Sequence, residues 1–387
     1  MYLDYAATTP IHPSVLETMF AVMEQEFGNP SSVHRFGRKA RYILDSAKVT
    51  LATSIGAKEN EIIMTSGGSE SNNLAIFGVI NQLPRNAGKH IITTQIEHAS
   101  VKEAMSYLET QGFEVTYLAA QADGSICLDV LQQAIRPDTV LLSIMMVNNE
   151  TGAIMPIKEI NALIRKHHPT MIFHTDAVQA YETQNIDVTE LGVDLLSTSA
   201  HKISGPKGIG FLFKRQGCKI ESLVKGGEQE ENNRAGTENI AGIAGFAYAV
   251  KIMQQPENNV VPHIQALRNT FLRGIAGQVA FEVNGSNTNK APHILNIWFP
   301  GIPSNLLVPH LDLAGIAISA GSACSSGSVQ LSHVLVSMFG PENPRNTESV
   351  RISFGPDLTI ADIENATKIL VKTILKIQDL LQKEVSL

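Results

Sequence analysis

Between about residues 60 and 215, short apolar runs alternate with stretches of helical periodicity. The runs cover residues 61–65, 90–94, 115–118, 140–144, 171–174, 194–197 and 209–213. They are rich in β-branched and aliphatic residues and apolar on both faces, as strands buried inside a sheet are. Stretches between them, such as Ile157, Ile160, Leu163 and Ile164, carry the spacing of an amphipathic helix. This alternation predicts an α/β fold with a mainly parallel, seven-stranded sheet. The polar, turn-rich stretch 254–259 marks a boundary, beyond which a smaller α+β region follows. Its last helix is predicted to be capped by Thr359 and Asp362, with Ile363, Ala366, Leu370, Ile374, Ile377 and Leu381 on one face.

Composition narrows the functions open to such a fold. The chain has 387 residues, enough for two domains, with 43% hydrophobic and 17% charged residues, as an ordinary folded protein has. Net charge is −7 and no stretch is densely basic, which argues against direct nucleic-acid binding. No apolar run is long enough to span a bilayer, so no membrane role is expected. The N-terminus lacks the basic and apolar regions of a secretory signal. Three cysteines, Cys127, Cys218 and Cys324, make no disulfide framework. The expectation is a cytoplasmic protein.

Ligands of an open α/β sheet bind beyond the carboxyl ends of its strands, so the residues that follow each run matter. They are Ser66-Gly67-Gly68-Ser69-Glu70-Ser71, Glu97-His98, Asn148-Asn149-Glu150, Asp176-x-x-Gln179 and Ser199-Ala200-His201-Lys202. The Gly67-Gly68-Ser69 turn before a helix suits a phosphate, because glycines admit close approach and a helix N-terminus offers free N–H groups. A plain turn with an N-cap serine would read the same way. The Gly-Lys-Ser/Thr ending of a P-loop is missing. Asp176 suits the ring nitrogen of a cofactor, with the cap of the next helix as the lesser alternative. Lys202 in a partly dry pocket could form a Schiff base, against the commoner fate of a solvated loop lysine. Lys207 is its rival, more natural as an exposed turn residue. His98 could stack on a flat ring or shuttle protons, or be a core histidine with satisfied hydrogen bonds. Cys324 lies among small polar residues, Ser319-Ala320-Gly321-Ser322-Ala323-Cys324-Ser325-Ser326-Gly327-Ser328, a setting for an exposed, reactive thiol. No Cys or His near it has zinc-ligand spacing, and no metal is expected.

Taken in order, these motifs resemble the cysteine desulfurases of the NifS/IscS type, in class V of the pyridoxal-phosphate-dependent aminotransferases. The resemblance spans nearly the whole chain. It begins with Tyr2-Leu3-Asp4-Tyr5-Ala6-Ala7-Thr8-Thr9-Pro10 and Phe27-Gly28-Asn29-Pro30-Ser31-Ser32-x-His34, and continues through the strand-end motifs. It ends with Arg234-x-Gly236-Thr237, Gly321-Ser322-Ala323-Cys324 and Arg351-Ile352-Ser353. It implies the aspartate-aminotransferase-like fold, PLP fold type I. A large domain over 12–255 binds the cofactor; a small α+β domain over 1–11 and 256–387 carries the catalytic cysteine.

The resemblance also implies roles. Lys202 forms the Schiff base with pyridoxal 5'-phosphate and moves protons. Asp176 pairs with the ring nitrogen, Gln179 bonds the phenolic oxygen and His98 stacks on the ring. Gly68, Ser69, Ser199 and His201 bind the phosphate, joined by Thr237 from a partner subunit, hence a homodimer. Asn149 and Arg351 hold the carboxylate of the L-cysteine substrate, with Asn29 near the same group. Cys324 takes the sulfur as a persulfide, alanine leaves, and a sulfur-acceptor protein follows, either an iron–sulfur scaffold or a tRNA thiolation enzyme. The chain departs from the family at Gly226-Gly227-Glu228-Gln229-Glu230-Glu231-Asn232, where Glu228 and Glu231 add negative charge at the expected dimer-facing loop. It also lacks the longer tail with which some relatives dock a scaffold, which favours tRNA thiolation. An aminotransferase or β-lyase on the same fold would not need Cys324. A cofactor-free sulfur-relay protein would not need Lys202.

Overall fold

All seven apolar runs become strands of one sheet in the computed structural model, which describes residues 1–84, 87–255, 258–286, 288–320 and 331–385. They are β1 (Ile62–Thr65), β2 (His90–Thr94), β3 (Glu114–Leu118), β4 (Thr139–Ser143), β5 (Ile172–Asp176), β6 (Leu195–Ser199) and β7 (Gly210–Lys214). Their order across the sheet is β1-β7-β6-β5-β4-β2-β3. The five from β6 to β3 are parallel to their neighbours, while β7 runs antiparallel to both β6 and β1. Every residue of β1, β2 and β6 is buried, including the polar Thr65, His90, Thr93, Thr94, Ser197, Thr198 and Ser199. β2 has β3 on one side and β4 on the other, so the winding reverses there and opens a crevice at the strand ends.

Strand boundaries differ from the sequence expectation in one way that matters. Asp176 and Ser199 are the last residues of β5 and β6, not loop residues beyond them. A side chain on a hydrogen-bonded strand is held more firmly than one on a loop.

Four helices bear on the site: α1 (Pro13–Gln25), α2 (Arg35–Thr53), α3 (Gly68–Gln82) and α4 (Ala99–Thr110). α3 and α4 pack on each other, and α3 also covers the sheet over β5, β6 and β7. The first turn of α3 and the start of α4 therefore arrive side by side at the crevice.

A second sheet is antiparallel throughout, with β8 (Glu282–Val283), β9 (Ile294–Trp298), β10 (Ser319–Ala320) and β11 (Ser349–Ser353) in the order β10-β11-β9-β8. Its core holds Leu295, Ile297, Ile352 and Phe354, together with Leu3 and Tyr5 from the chain start. The final helix, Ile360–Val385, buries Ile363, Ala366, Leu370, Ile374 and Ile377 against it, each large aliphatic side chain stabilising the fold by about 1.5–3 kcal/mol. Its expected cap forms: Thr359 N–H donates to Asp362 Oδ2 (2.9 Å) and Asp362 N–H to Thr359 Oγ1 (3.1 Å). Among the described residues, no helix is long and apolar enough to cross a membrane.

Candidate active site

The four residues expected to bind phosphate lie together. Gly68, Ser69, Ser199 and His201 line one cavity of about 400 Å³, with Gly67 and Lys207 beside them. Two features of the turn explain its glycines. Gly67 has φ +145°, and a Cβ on Gly68 would stand 2.7 Å from Val178 Cγ2. Gly210 lets β7 pass close behind, since a Cβ there would meet Gly67 Cα at 2.8 Å. The cavity thus ends on the N-terminus of α3, with hydroxyls, an imidazole and an ammonium around it. His201 bonds Thr8 Oγ1 through Nδ1 (3.1 Å), and burial, then Lys202 and Lys207, push its pKa down to about 4. It is therefore neutral near pH 7.

Asp176 closes the next layer. It is buried; its Oδ1 accepts from Val178 N–H (2.9 Å) and its Oδ2 from Asn72 Nδ2 (2.7 Å). Gln179 donates to the Ala6 carbonyl (2.9 Å) and accepts from His293 Nε2 (3.2 Å). His98 is the N-cap of α4 and exposed, with its pKa lowered by burial of the imidazole against its surroundings and by Lys202 and His333, opposed by Asp176.

Lys202 reaches the same place from the short turn after β6. Its Nζ donates to the carbonyls of Ala6 (2.5 Å) and Ala7 (2.9 Å). Burial first, then Arg351, draw its pKa down to about 8, against the opposing charges of Asp176 and Asp4. An amine so placed has a usable neutral fraction near neutrality. Arg351 of β11 donates through Nη2 to Asp4 (2.8 Å) and through Nη1 to the Asn149 carbonyl (3.0 Å), while its buried Nε has no partner among the described residues. Asn149 is held by its neighbour: Asn148 Oδ1 accepts from the N–H groups of Glu150 (3.0 Å) and Thr151 (2.9 Å).

Three expected site residues stand apart. Asn29 is exposed and spends its side chain on Ser31 N–H (2.9 Å). Thr237 is exposed, in the loop before the helix Ile240–Met253, and does not line the phosphate-side cavity. Cys324 lies outside the described residues.

Other participants went unread in the sequence. The chain start supplies Asp4 to Arg351, two carbonyls to Lys202 and Thr8 to His201. Only the motif Tyr2–Pro10 as a whole hinted at this. Lys207 is exposed, as its Pro-Gly turn led one to expect, and also lines the phosphate-side cavity. In the divergent loop Glu230 turns inward. It is buried, accepts from Lys48 of α2 (2.8 Å) and from Met64 N–H of β1 (3.0 Å), and holds φ +49°. Glu231 and Asn232 continue this left-handed run.

Comparison with known proteins agrees with this architecture. The family model described as "Aminotransferase class-V" matches residues 1–366. The chain belongs to that family. It is 46% identical over 370 residues to a putative cysteine desulfurase IscS 1 of Bacillus subtilis (strain 168), covering 95% of this chain and 97% of the relative. Among solved structures, a NifS-like protein superposes with TM-score 0.90 at 32% identity, covering 96% of this chain and 98% of the other. SspA, solved in complex with cysteine, superposes with TM-score 0.81 at 36% identity, covering 92% and 99%. Class-V aminotransferases work with pyridoxal 5'-phosphate. The site fits that group: a glycine-lined anion cradle, a buried carboxylate for the ring nitrogen and a lysine with a depressed pKa.

Proposed function

We propose that the protein is a cysteine desulfurase, which moves the sulfur of L-cysteine onto Cys324, releases L-alanine and passes the sulfur to an acceptor. The observation that carries this reading is Lys202. Its amine is anchored between two backbone carbonyls, with a pKa of about 8, at the meeting point of the Asp176 side and the Arg351 side.

Bound there, pyridoxal 5'-phosphate supplies an aldehyde for the amine and a ring that draws electrons from the substrate's α-carbon. Lys202 is placed to take and return the α-proton, because its pKa lies near the working pH. Asp176, buried and hydrogen-bonded twice, would pair with the ring nitrogen. Gly68, Ser69, Ser199, His201 and Lys207 hold the phosphate, and Gln179 bonds the phenolic oxygen. Arg351, supported by Asp4 and Asn149, fixes the substrate carboxylate, for which a guanidinium fork is well matched; Asn29 is a further candidate there. The Cys324 thiolate attacks the substrate sulfur: an S–S bond forms, the C–S bond breaks and its electron pair stays with carbon, which takes a proton.

Thr237 points to a homodimer, since a phosphate-binding hydroxyl absent from its own cavity is available to a second copy. The large domain is assigned to 12–255 and the small domain to 1–11 with 256–387. The acceptor is a tRNA thiolation enzyme or an iron–sulfur scaffold, and the setting the cytoplasm.

The test is Cys324→Ala with L-cysteine as substrate, reading alanine release and the mass of the enzyme. Wild type should release alanine and gain one sulfur atom on the Cys324 peptide; the variant should do neither. Undiminished turnover in Cys324→Ala would make the protein an aminotransferase or β-lyase instead.

A further inference from the structure

Asn72 has no part in the chemistry above, yet it is almost wholly buried in the first turns of α3 and both its N–H groups are engaged. One meets Asp176 Oδ2 at 2.7 Å and the other meets Ser100 Oγ at 2.9 Å. Ser100 Oγ in turn lies 2.8 Å from His98 Nδ1. The Asn72 carbonyl oxygen is buried without a partner among the described residues. Leaving a buried acceptor unsatisfied is costly, so the amide is turned this way for what its nitrogen does. Flipping it would aim the oxygen at the Asp176 carboxylate.

The direction of each bond follows from the donors. Ser100 N–H approaches His98 Nδ1 at 3.2 Å, and a backbone N–H can only donate, so Nδ1 is an acceptor. Ser100 Oγ already accepts from Asn72, which leaves its O–H free to donate to the same nitrogen. The neutral His98 ring therefore carries its proton on Nε2. At the other end, the Asn72 nitrogen can only donate, so Asp176 Oδ2 is the acceptor at 2.7 Å.

We propose that Asn72 is a positioning residue that couples Asp176 to His98 through Ser100, holding the two groups assigned to the cofactor ring in one orientation and His98 in one tautomer. This rests on the desulfurase reading of the site. The relay joins β5 to α4 through α3, so the carboxylate and the imidazole that would meet the ring are set by one amide.

The experiment compares wild type, Asn72→Ala and Ser100→Ala as holoenzymes, with Lys202→Ala as the control without a Schiff-base lysine. It measures the dissociation constant of pyridoxal 5'-phosphate and the imidazole 15N shifts of His98, assigned by their absence in His98→Gln. Asn72→Ala should weaken cofactor binding about tenfold, the worth of one charge-assisted hydrogen bond, and shift His98 away from the Nε2–H form. Ser100→Ala should change the His98 shifts and leave the affinity within about twofold. Wild-type affinity and wild-type His98 shifts in Asn72→Ala would overturn the proposal. Should Asn72→Ala not fold, unchanged His98 shifts in Ser100→Ala overturn it alone. A wild-type protein that takes up no cofactor, or whose Schiff-base absorbance survives Lys202→Ala, would instead sink the reading on which the relay rests.

Discussion

The ring-and-phosphate side of the site hangs on the carboxyl ends of β1, β5 and β6 and the first turn of α3, whereas the carboxylate side joins parts of the chain far apart in sequence. Arg351 meets Asn149 across 202 positions and Asp4 across 347. On the first side a hydrogen-bonded sheet fixes each group, and the partners are neighbours in a repeating βα pattern. On the second, geometry depends on the chain start docking beside β11, where Asp4 bridges to Ser353 and Leu3 sits in the second core. One side inherits its precision from secondary structure; the other obtains it from the packing of two cores. Lys202 touches both, since it rises from the turn after β6 and bonds carbonyls of the chain start.

That junction is where a substitution should do most harm. Lys202→Ala is expected to lower desulfurase turnover by about a thousandfold or more, from the loss of a positioned acid–base and nucleophilic group. The Schiff-base absorbance of the bound cofactor should disappear with it. Measuring alanine release beside the absorption spectrum checks both. A variant that keeps the absorbance would show the two sides meeting at another amine, with Lys207 the next to test.

The contrast also explains what the sequence disclosed. The seven strands were legible because a strand buried on both faces is rich in apolar residues, as at Ile62, Ile63 and Met64 or Phe211, Leu212 and Phe213. Their ends were misjudged by one or two residues: Thr175, Asp176, Thr198 and Ser199 are polar, and periodicity cannot tell a functional strand end from a loop. The carboxylate side was legible only through resemblance. Nothing local to Asp4 marks it as the partner of Arg351, and nothing local to Ala6 marks its carbonyl as the anchor of Lys202 and Gln179. Asn72 was hidden for another reason. Inside a helix pattern an asparagine reads as a polar position, and only the packing of α3 on α4 turns its amide toward Asp176 and Ser100. Glu230 was overlooked beside Glu228 and Glu231 because three acids in one loop look alike until a backbone turn buries one of them.

A smaller effect separates the two sides. Asp4→Ala should raise KM for L-cysteine by about tenfold and leave kcat within a few-fold, because Arg351 loses the partner that fixes its fork before the substrate arrives. Cofactor affinity should change little, since Asp176, Ser199 and His201 are untouched. Steady-state kinetics with an independent cofactor titration distinguish the effects. A fall in KM would mean that Asp4 competes with the substrate carboxylate instead of orienting its binding group.

The smallest effect probes how far the carboxylate side reaches into the other. Burial and then Arg351 bring Lys202 to about 8, and only the neutral amine can attack an aldehyde. The sign is fixed: raising the pH frees the amine, so cofactor uptake by the apoprotein should accelerate and level off above pH 8. Between pH 7 and pH 9 the neutral fraction climbs from about 9% to about 91%, a tenfold gain that saturates. A lysine at its ordinary pKa would give about a hundredfold with no plateau. Stopped-flow uptake across this range reads the midpoint directly. Arg351→Met removes a positive charge near the amine, so the midpoint should move upward while the plateau rate stays. Were the midpoint of Arg351→Met unchanged, burial alone would set Lys202, and the two sides would be electrostatically independent despite sharing the same stretch of backbone.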